Sequence, residues 1–121
     1  VRGICCLIPG RKYSRNIRVT RIVDTFLEHA RVWYFGNGGK PKLFLGSPDW
    51  MRRNLYRRIE AVTPILDPDL KRELSDMLSI QLSDKRKACF VDDHLRNRWK
   101  SARPQKEKIR SQYTFYEYLK G

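Results

Sequence analysis

The sequence predicts an α/β fold, in which a mixed sheet carries flanking helices, from three stretches of the chain. Residues 26–50 are predicted to form a β-hairpin, because β-forming residues flank a turn containing Gly36, Gly38 and Gly39. Residues 3–8 form an almost wholly apolar run, as buried strands do. Residues 67–82 carry an apolar stripe at helical spacing. At 121 residues, the chain is expected to form a single domain.

The first part of the chain is predicted to contain a strand, a basic loop and a short helix. The strand covers residues 3–8 and ends at the Pro9-Gly10 pair, and the basic loop covers residues 11–16. From residue 20 to residue 27, apolar side chains recur at helical spacing, which predicts a short helix leading to His29. Basic loops at strand ends are common places for anionic ligands to bind.

The hairpin is predicted to bring three polar side chains together at its open end. A turn centred near Gly38 places His29 opposite Ser47 and Arg31 opposite Leu45. Residues two apart on a strand project from the same face, so His29 and Arg31 are expected to point the same way. The sequence therefore predicts a corner suited to binding phosphate.

The second half of the chain is predicted to contain a turn with a short helix or loop over residues 48–55 and a strand over residues 59–65. The clearest helix follows, since Asp67 can cap it and Pro68 suits its first turn. Its core-facing stripe consists of Leu70, Leu74, Met77, Leu78 and Leu82.

The last part is predicted to contain a short edge strand over residues 88–91, a basic linker over residues 99–108 and a closing helix over residues 105–119. The side chains of this helix expected to pack inward are Ile109, Tyr113, Tyr116 and Leu119. Asp92, Asp93 and His94 lie between the edge strand and the linker. Neighbouring residues rarely point the same way and no second cluster supplies ligands, so no metal site is predicted here.

The charge indicates an anionic partner. Twenty-six Lys and Arg residues against thirteen Asp and Glu residues give a net charge of +13. Such a field attracts nucleic acid, acidic lipid, nucleotides or other polyphosphates and does not choose among them. Charge alone therefore leaves the partner open.

The cysteines and the hydropathy pattern indicate a reduced, cytoplasmic protein. Cys5, Cys6 and Cys89 have neither metal-ligand spacing nor the even number of a disulfide framework. No apolar run approaches the ~20 residues that span a bilayer, so at most peripheral membrane association is expected. Because the sequence begins at Val1, it is expected to be a piece of a longer protein.

His29 is the candidate catalytic residue. Histidine can act on phosphorus as a nucleophile, as a general acid or as a hydrogen-bond donor. Arginine neutralises phosphoryl oxygens with a fixed fork of donors, and a hydroxyl can add one more bond. Arg31 and Ser47 would supply these groups beside His29, and Asp49 is expected to pair with Arg53.

The segment His29-Ala30-Arg31, followed by Gly46-Ser47-Pro48-Asp49, resembles half of a phospholipase D-type site. In that pattern, a His-x-Lys and a downstream Gly-Ser-x-Asn come from paired strands. Arg31 stands where the pattern has lysine, and Asp49 stands where it has asparagine. These departures argue against an ordinary phospholipase or nuclease.

Essentially the whole chain is similar to the last part of polyphosphate kinase, a family with phospholipase D-like C-terminal domains. The segments that carry this resemblance are Val1-Arg2-Gly3-Ile4-Cys5, Phe26-Leu27-Glu28-His29, Gly36-Asn37-Gly38-Gly39, Asp49-Trp50-Met51, Arg58-Ile59-Glu60 and Pro64-Ile65-Leu66-Asp67. The resemblance implies most of the C-terminal phospholipase D-like domain of a larger multidomain kinase. That kinase transfers the terminal phosphate of ATP reversibly to inorganic polyphosphate, with Mg²⁺, through a phosphohistidine.

The resemblance also implies roles for individual residues. The phosphorylated histidine and the Mg²⁺ ligands are expected outside this chain, which then contains no metal ligand. His29 matches a second essential histidine that acts on the nucleotide phosphates, and Arg2 matches an arginine that binds ATP. Arg18 and Arg31 are further phosphate-binding candidates, and Ser47 and Asp49 are accessory ones. The partners implied are ATP or ADP, polyphosphate, the rest of the polypeptide and further copies in a homo-oligomer.

Two other functions remain open. The charge of +13 and the aromatic residues interleaved with Lys and Arg are compatible with a nucleic-acid-binding module. A phospholipase D-like phosphodiesterase is the third reading, against which the missing lysine after His29 counts.

Overall fold

The computed structural model describes residues 6–100 and 109–121, and its mixed α/β architecture confirms the predicted fold class. The described residues form two compact units. One unit contains the residues up to Leu27 and those from Asp76 onward, and the other contains residues 28–75. Each unit has one antiparallel sheet of three strands.

The sheet of the first unit has the strand order β1-β5-β6. Strand β1 covers Thr20–Ile22, β5 covers Ala88–Val91 and β6 covers Asn97–Trp99. Arg21 pairs with Cys89, and Cys89 pairs in turn with Trp99. Ala88, Cys89 and Val91 are buried, so the middle strand supplies most of the apolar core described in this unit. The unit also contains helix α3, Ser111–Lys120.

The sheet of the second unit has the strand order β2-β3-β4. Strand β2 covers Val32–Phe35, β3 covers Lys42–Gly46 and β4 covers Val62–Ile65, with helix α1, Arg52–Tyr56, between β3 and β4. Pro64 lies opposite Phe44. Proline cannot donate a ladder hydrogen bond, and β4 tolerates it because it is an edge strand. Leu43, in the central strand, is the buried side chain of this sheet.

The prediction of a helix over residues 20–27 is wrong. Residues 20–22 form strand β1, and residues 23–31 contain neither helix nor strand. In so short a segment, apolar spacing alone does not separate a helix from a strand. Pairing with Ala88–Val91 decides the outcome, because it gives the backbone of Thr20–Ile22 a ladder partner more than sixty residues away.

Two further predictions about strands are wrong. Residues 88–91 form a strand, but β5 is the central strand of its sheet and not an edge strand. Residues 97–99, predicted as the end of a polar segment and the start of the basic linker, form β6, which completes a hairpin with β5. Residues 6–8 contain no strand, and the remainder of the predicted first strand, with Arg2 and Cys5, lies outside the described residues.

The main helix is confirmed. Helix α2 covers Pro68–Ser83, and the Asp67 carboxylate accepts hydrogen bonds from the N–H groups of Asp69 and Leu70. Leu74, Met77 and Leu78 are half-buried, but Leu70 and Leu82, also predicted to face the core, are exposed. Among the described helices, none combines the length and apolarity needed to cross a membrane.

The closing helix begins later than predicted. Residues 109 and 110 are not helical, α3 begins at Ser111, and residues 105–108 lie outside the described part of the chain. The side chains expected to pack inward, Ile109, Tyr113, Tyr116 and Leu119, are exposed. Ser111 and Gln112 are buried instead, because both bond to residues of the first unit.

The basic loop is confirmed, and the hydrogen bonds of a serine side chain stabilise it. The Ser14 hydroxyl donates to the carbonyl of Ile8 at 2.6 Å and accepts from the N–H of Arg11 at 3.1 Å. Ser14 is buried while Arg11, Lys12 and Arg15 are exposed. Of the two cysteines in the described residues, Cys6 is exposed and Cys89 is buried.

Candidate active site

His29 lies in the segment that joins β1 to β2. The segment contains neither helix nor strand, and β2 begins three residues after His29 at Val32. The side chain is exposed, which leaves it accessible to a ligand. His29 is therefore not in a strand, and the predicted strand alternation does not apply to it.

The hairpin is confirmed, but its register differs from the prediction by one residue. Val32 pairs with Leu45, and the N–H of Gly46 donates to the carbonyl of Arg31 at 3.2 Å. The predicted pairing of Arg31 with Leu45 is therefore wrong. It assumed a turn centred on one residue, whereas the connection over residues 36–41 has an even number of residues and contains a 3₁₀ turn over Asn37–Gly39.

Arg31 and Asp49 form an ion pair at the open end of the hairpin. Arg31 Nε donates to Asp49 Oδ1 at 2.9 Å, and both side chains are largely buried, at 28% and 25% exposure. This hydrogen bond from Arg31 lowers the pKa of the Asp49 carboxyl, and the charge of Arg53 adds to the effect. Arg31, and not Arg53, is thus the bonded partner of Asp49.

Ser47 belongs to a second polar contact beside this pair. Its hydroxyl donates to Glu60 Oε2 and accepts from the N–H of Ala61 at 3.2 Å. Asn54 Nδ2 donates to Glu60 Oε1 at 2.7 Å. These bonds from Ser47 and Asn54 lower the pKa of the Glu60 carboxyl, and the charges of Arg58 and Arg31 act in the same direction.

Arg31, Ser47, Asp49, Asn54 and Glu60 are called the Arg31 cluster below. The structure therefore brings together three of the predicted residues, Arg31, Ser47 and Asp49. Sequence reasoning missed Glu60 and Asn54 as members. Glu60 is the one carboxylate between Asp49 and Asp67, in a segment with four arginines, and this was the available signal.

In the Arg31 cluster, the arginine forms an ion pair with Asp49 and lies within electrostatic reach of Glu60, which is itself hydrogen-bonded. Both carboxyl pKa values are held low, so both groups are charged at neutral pH and keep Arg31 in place. Only the Nε of Arg31 is used by Asp49. The guanidinium has further N–H donors, and donors of this kind bind phosphoryl oxygens well.

Arg18 lies in the other unit, where it lines an open groove of about 480 Å³. Arg15 lines the same groove, and Ile17, Val19 and Phe90 contribute apolar wall. Asp93 also borders it, which places one carboxylate beside the two arginines. Arg2, the remaining arginine predicted to bind phosphate, lies outside the described residues.

The residues that the structure describes do not fit a Mg²⁺ site. No group of three or more His, Cys, Asp and Glu side chains among them is arranged around a common point. Asp49 and Glu60 are bonded within the Arg31 cluster. Asp92, beside Asp93 and His94 in the β5–β6 turn, accepts N–H groups from His94 and Arg96 and guanidinium donors from Arg96 and Arg98.

The chain is similar to known proteins in both sequence and fold. Residues 1–112 match the family described as Polyphosphate kinase C-terminal domain 2. The polyphosphate kinase of Escherichia coli K12 is 48% identical over the whole chain, and that of Synechocystis is 55% identical over 73% of it. The crystal structure of polyphosphate kinase from Porphyromonas gingivalis matches 98% of the chain with a TM-score of 0.91 and 55% identity.

The match covers only part of these relatives. The chain spans 18% of the length of the Escherichia coli enzyme and 18% of the solved Porphyromonas gingivalis chain. The family match nevertheless covers residues 1–112, which is most of the chain. The chain therefore belongs to the polyphosphate kinase family, as its C-terminal domain 2.

Proposed function

We propose that this chain forms one wall of the active site of a polyphosphate kinase. The full enzyme transfers the terminal phosphate of ATP reversibly to inorganic polyphosphate. Membership of the family supports the reaction. The role of this chain is supported by one observation: His29 is exposed and lies two residues before Arg31, which Asp49 holds in an ion pair. We also propose that the two units belong to one phospholipase D-like domain.

His29 acts as a general acid or as a hydrogen-bond donor to the transferring phosphoryl group. Phosphoryl transfer depends on positioning and on neutralising charge more than on covalent chemistry from the protein. A donor aimed at oxygens whose charge changes in the transition state lowers the barrier without reorganisation. The nucleophilic histidine, expected in the preceding domain by resemblance to the family, attacks the phosphate that His29 stabilises.

The arginines bind the phosphates. Arg2 binds the nucleotide phosphates, by resemblance to the family, and Arg31 presents the donors that Asp49 does not use. Arg18 binds a further phosphate from its groove. Ser47 and Asp49 are accessory: their described bonds support a role in holding Glu60 and Arg31, through which they affect phosphate indirectly.

Several parts of the enzyme are proposed to lie elsewhere. The Mg²⁺ ligands are assigned to other parts of the polypeptide, by resemblance to the family. The substrates are ATP or ADP and polyphosphate, and the partners are the rest of the same chain and further copies in a homo-oligomer. A cytoplasmic location follows from the need for ATP.

The test compares the two histidines of the chain in the full-length enzyme. His29→Ala should lower the rate of ATP-dependent polyphosphate synthesis by at least about 100-fold, the loss typical of removing one donor to a developing charge. His94→Ala is the matched control, because His94 is also exposed and lies in the β5–β6 turn of the other unit. It should leave the rate within about twofold.

Retention of near-normal synthesis by a folded His29→Ala enzyme would contradict the proposal. Circular dichroism and the thermal midpoint of both variants establish that they are folded. The competing function, nucleic-acid binding, is motivated by the net charge of +13. A clear preference for DNA over polyphosphate of equal charge at moderate salt would support it. Hydrolysis of a generic phosphodiester that depends on His29 would support the phosphodiesterase reading.

A further inference from the structure

The segment that delivers the chain to His29 has no regular secondary structure of its own. Residues 23–31 contain neither helix nor strand, and Phe26 and Leu27 are 65% and 84% exposed. A histidine in such a segment is held only as well as the contacts around it allow. Helix α3 contacts this segment at residues 24–26, through side chains at and just before its N-terminal end.

Gln112 bonds to both backbone polar groups of Phe26. Its amide nitrogen Nε2 donates to the carbonyl of Phe26 at 2.7 Å, and its Oε1 accepts from the N–H of Phe26 at 2.9 Å. The side chain is only 8% exposed, so water competes little for these bonds. Gln112 thus pairs with the peptide groups of Phe26 as a neighbouring strand would.

Arg110 holds the two residues that precede Phe26. Its guanidinium donates to Asp24 through Nε at 2.8 Å and through Nη2 at 2.5 Å, and Nη2 also donates to Thr25 Oγ1 at 2.9 Å. The Asp24 side chain is 1% exposed. The same guanidinium lies 4.1 Å from the ring centre of Tyr113, which restricts it further.

The start of α3 is itself anchored to the first unit's sheet. The buried Asp84 carboxylate accepts the N–H of Ser111 through Oδ2 at 2.7 Å. Its Oδ1 accepts the N–H groups of Arg86, Lys87 and Ala88, the last of which begins β5. Strand β5 pairs with β1, which ends at Ile22, two residues before Asp24. The contacts therefore connect α3, β5, β1 and residues 24–26 in a continuous series that returns to α3.

We infer that Gln112 and Arg110 are positioning residues for His29, because together they clamp residues 24–26, immediately before it. His29 is three residues beyond Phe26, so its Cα lies within about 11 Å of the clamped residue. The inference rests on the proposed role of His29. Misplacing a group that acts on the transferring phosphate by about 1 Å can cost about 100-fold in rate.

The test uses graded variants of Gln112 in the full-length enzyme. Gln112→Met keeps the length of the side chain and loses both bonds, and it should lower kcat about 10-fold or more. Gln112→Glu keeps an acceptor for the N–H of Phe26 and loses the donor to its carbonyl, so its kcat should lie between those of Gln112→Met and the wild type. The KM for ATP should change less than about threefold in both, since the clamp touches no substrate.

Tyr118→Phe is the matched control on the same helix. It removes the bond from Tyr118 to Asp76 of α2, at 3.1 Å, and leaves the clamp intact. Its kcat should stay within about twofold of the wild type, and thermal midpoints establish that this variant and the Gln112 variants are folded. If Gln112→Met fails to fold, Gln112→Glu decides the question.

The positioning role of Gln112 and the proposed role of His29 can fail separately. If His29→Ala abolishes synthesis while the folded Gln112 variants keep a wild-type kcat, the positioning role is refuted and the role of His29 stands. If His29→Ala keeps its activity, the proposed function fails first. Equal loss of kcat in Tyr118→Phe and Gln112→Met would also overturn the inference, because it would show a general effect of α3.

Discussion

Gly46, the last residue of β3, has no room for a side chain. A Cβ at this position would lie 2.7 and 2.9 Å from Cζ3 and Cη2 of the Trp33 ring and 2.9 Å from Cγ2 of Val62. Trp33 lies on β2 and Val62 on β4, so the contacts come from both neighbouring strands. Gly46→Ala must therefore displace the Trp33 ring and the Val62 side chain, which lie on the two strands next to β3.

The cost follows from two opposing effects. Overpacking a well-filled site typically costs about 1–3 kcal/mol. Replacing glycine by alanine also restricts the unfolded chain, which returns about 0.4–1 kcal/mol. A net loss of about 1–2 kcal/mol corresponds to a roughly 5- to 30-fold increase in the population of the locally open sheet.

Amide hydrogen exchange in the full-length enzyme measures this population. Peptides that cover β3 and β4 should exchange about 5- to 30-fold faster in Gly46→Ala. Gly36→Ala is the control, because Gly36 has a right-handed helical backbone, with φ of −63°, and a Cβ added there would meet no atom within 4 Å. Its exchange should be unchanged or slower. Wild-type exchange in Gly46→Ala would refute the steric argument.

Two further predictions concern the first unit. Asp84→Ala removes the acceptor of four backbone N–H groups, of which those of Ala88 and Ser111 are buried. It should therefore lower the local stability by at least about 3 kcal/mol. Hydrogen exchange of β5 and α3 measures this loss, and wild-type protection would contradict the prediction. The bond from Arg110 lowers the pKa of the Asp24 carboxyl, so its stabilising contribution is present above about pH 4, the unfolded value, and is lost as the pH falls further. Asp24→Asn should therefore lower the thermal midpoint at pH 7 and flatten its fall below about pH 4; an unchanged acid slope would contradict the assignment.

The parts of the fold that the sequence predicted correctly are those with local signals. The turn glycines of residues 36–39 indicate the hairpin, and Asp67 with Pro68 indicates the start of α2. The prediction for the β1 segment was wrong because its apolar spacing suits either a helix or a strand. Its true partner, β5, is distant in the sequence, and single-sequence spacing does not report such pairing.

The candidate site also contains residues that the sequence indicated and contacts that it did not indicate. Residue chemistry and family resemblance singled out His29, Arg31, Ser47 and Asp49, and the last three meet in the Arg31 cluster. The bonds from Gln112 to Phe26 join residues 86 apart, through a side chain that carries no local motif. No sequence pattern indicates a contact of that kind, so the clamp could only be found in the structure.

In the proposed mechanism, His29 acts on the transferring phosphate without carrying it. The most direct measurement is to incubate the full-length enzyme with ATP, quench at alkaline pH to preserve phosphohistidine, and locate the phosphate by mass spectrometry of its peptides. Phosphate is expected on a histidine outside these 121 residues, and none on the peptide that contains His29. Stoichiometric phosphate on His29 would contradict it.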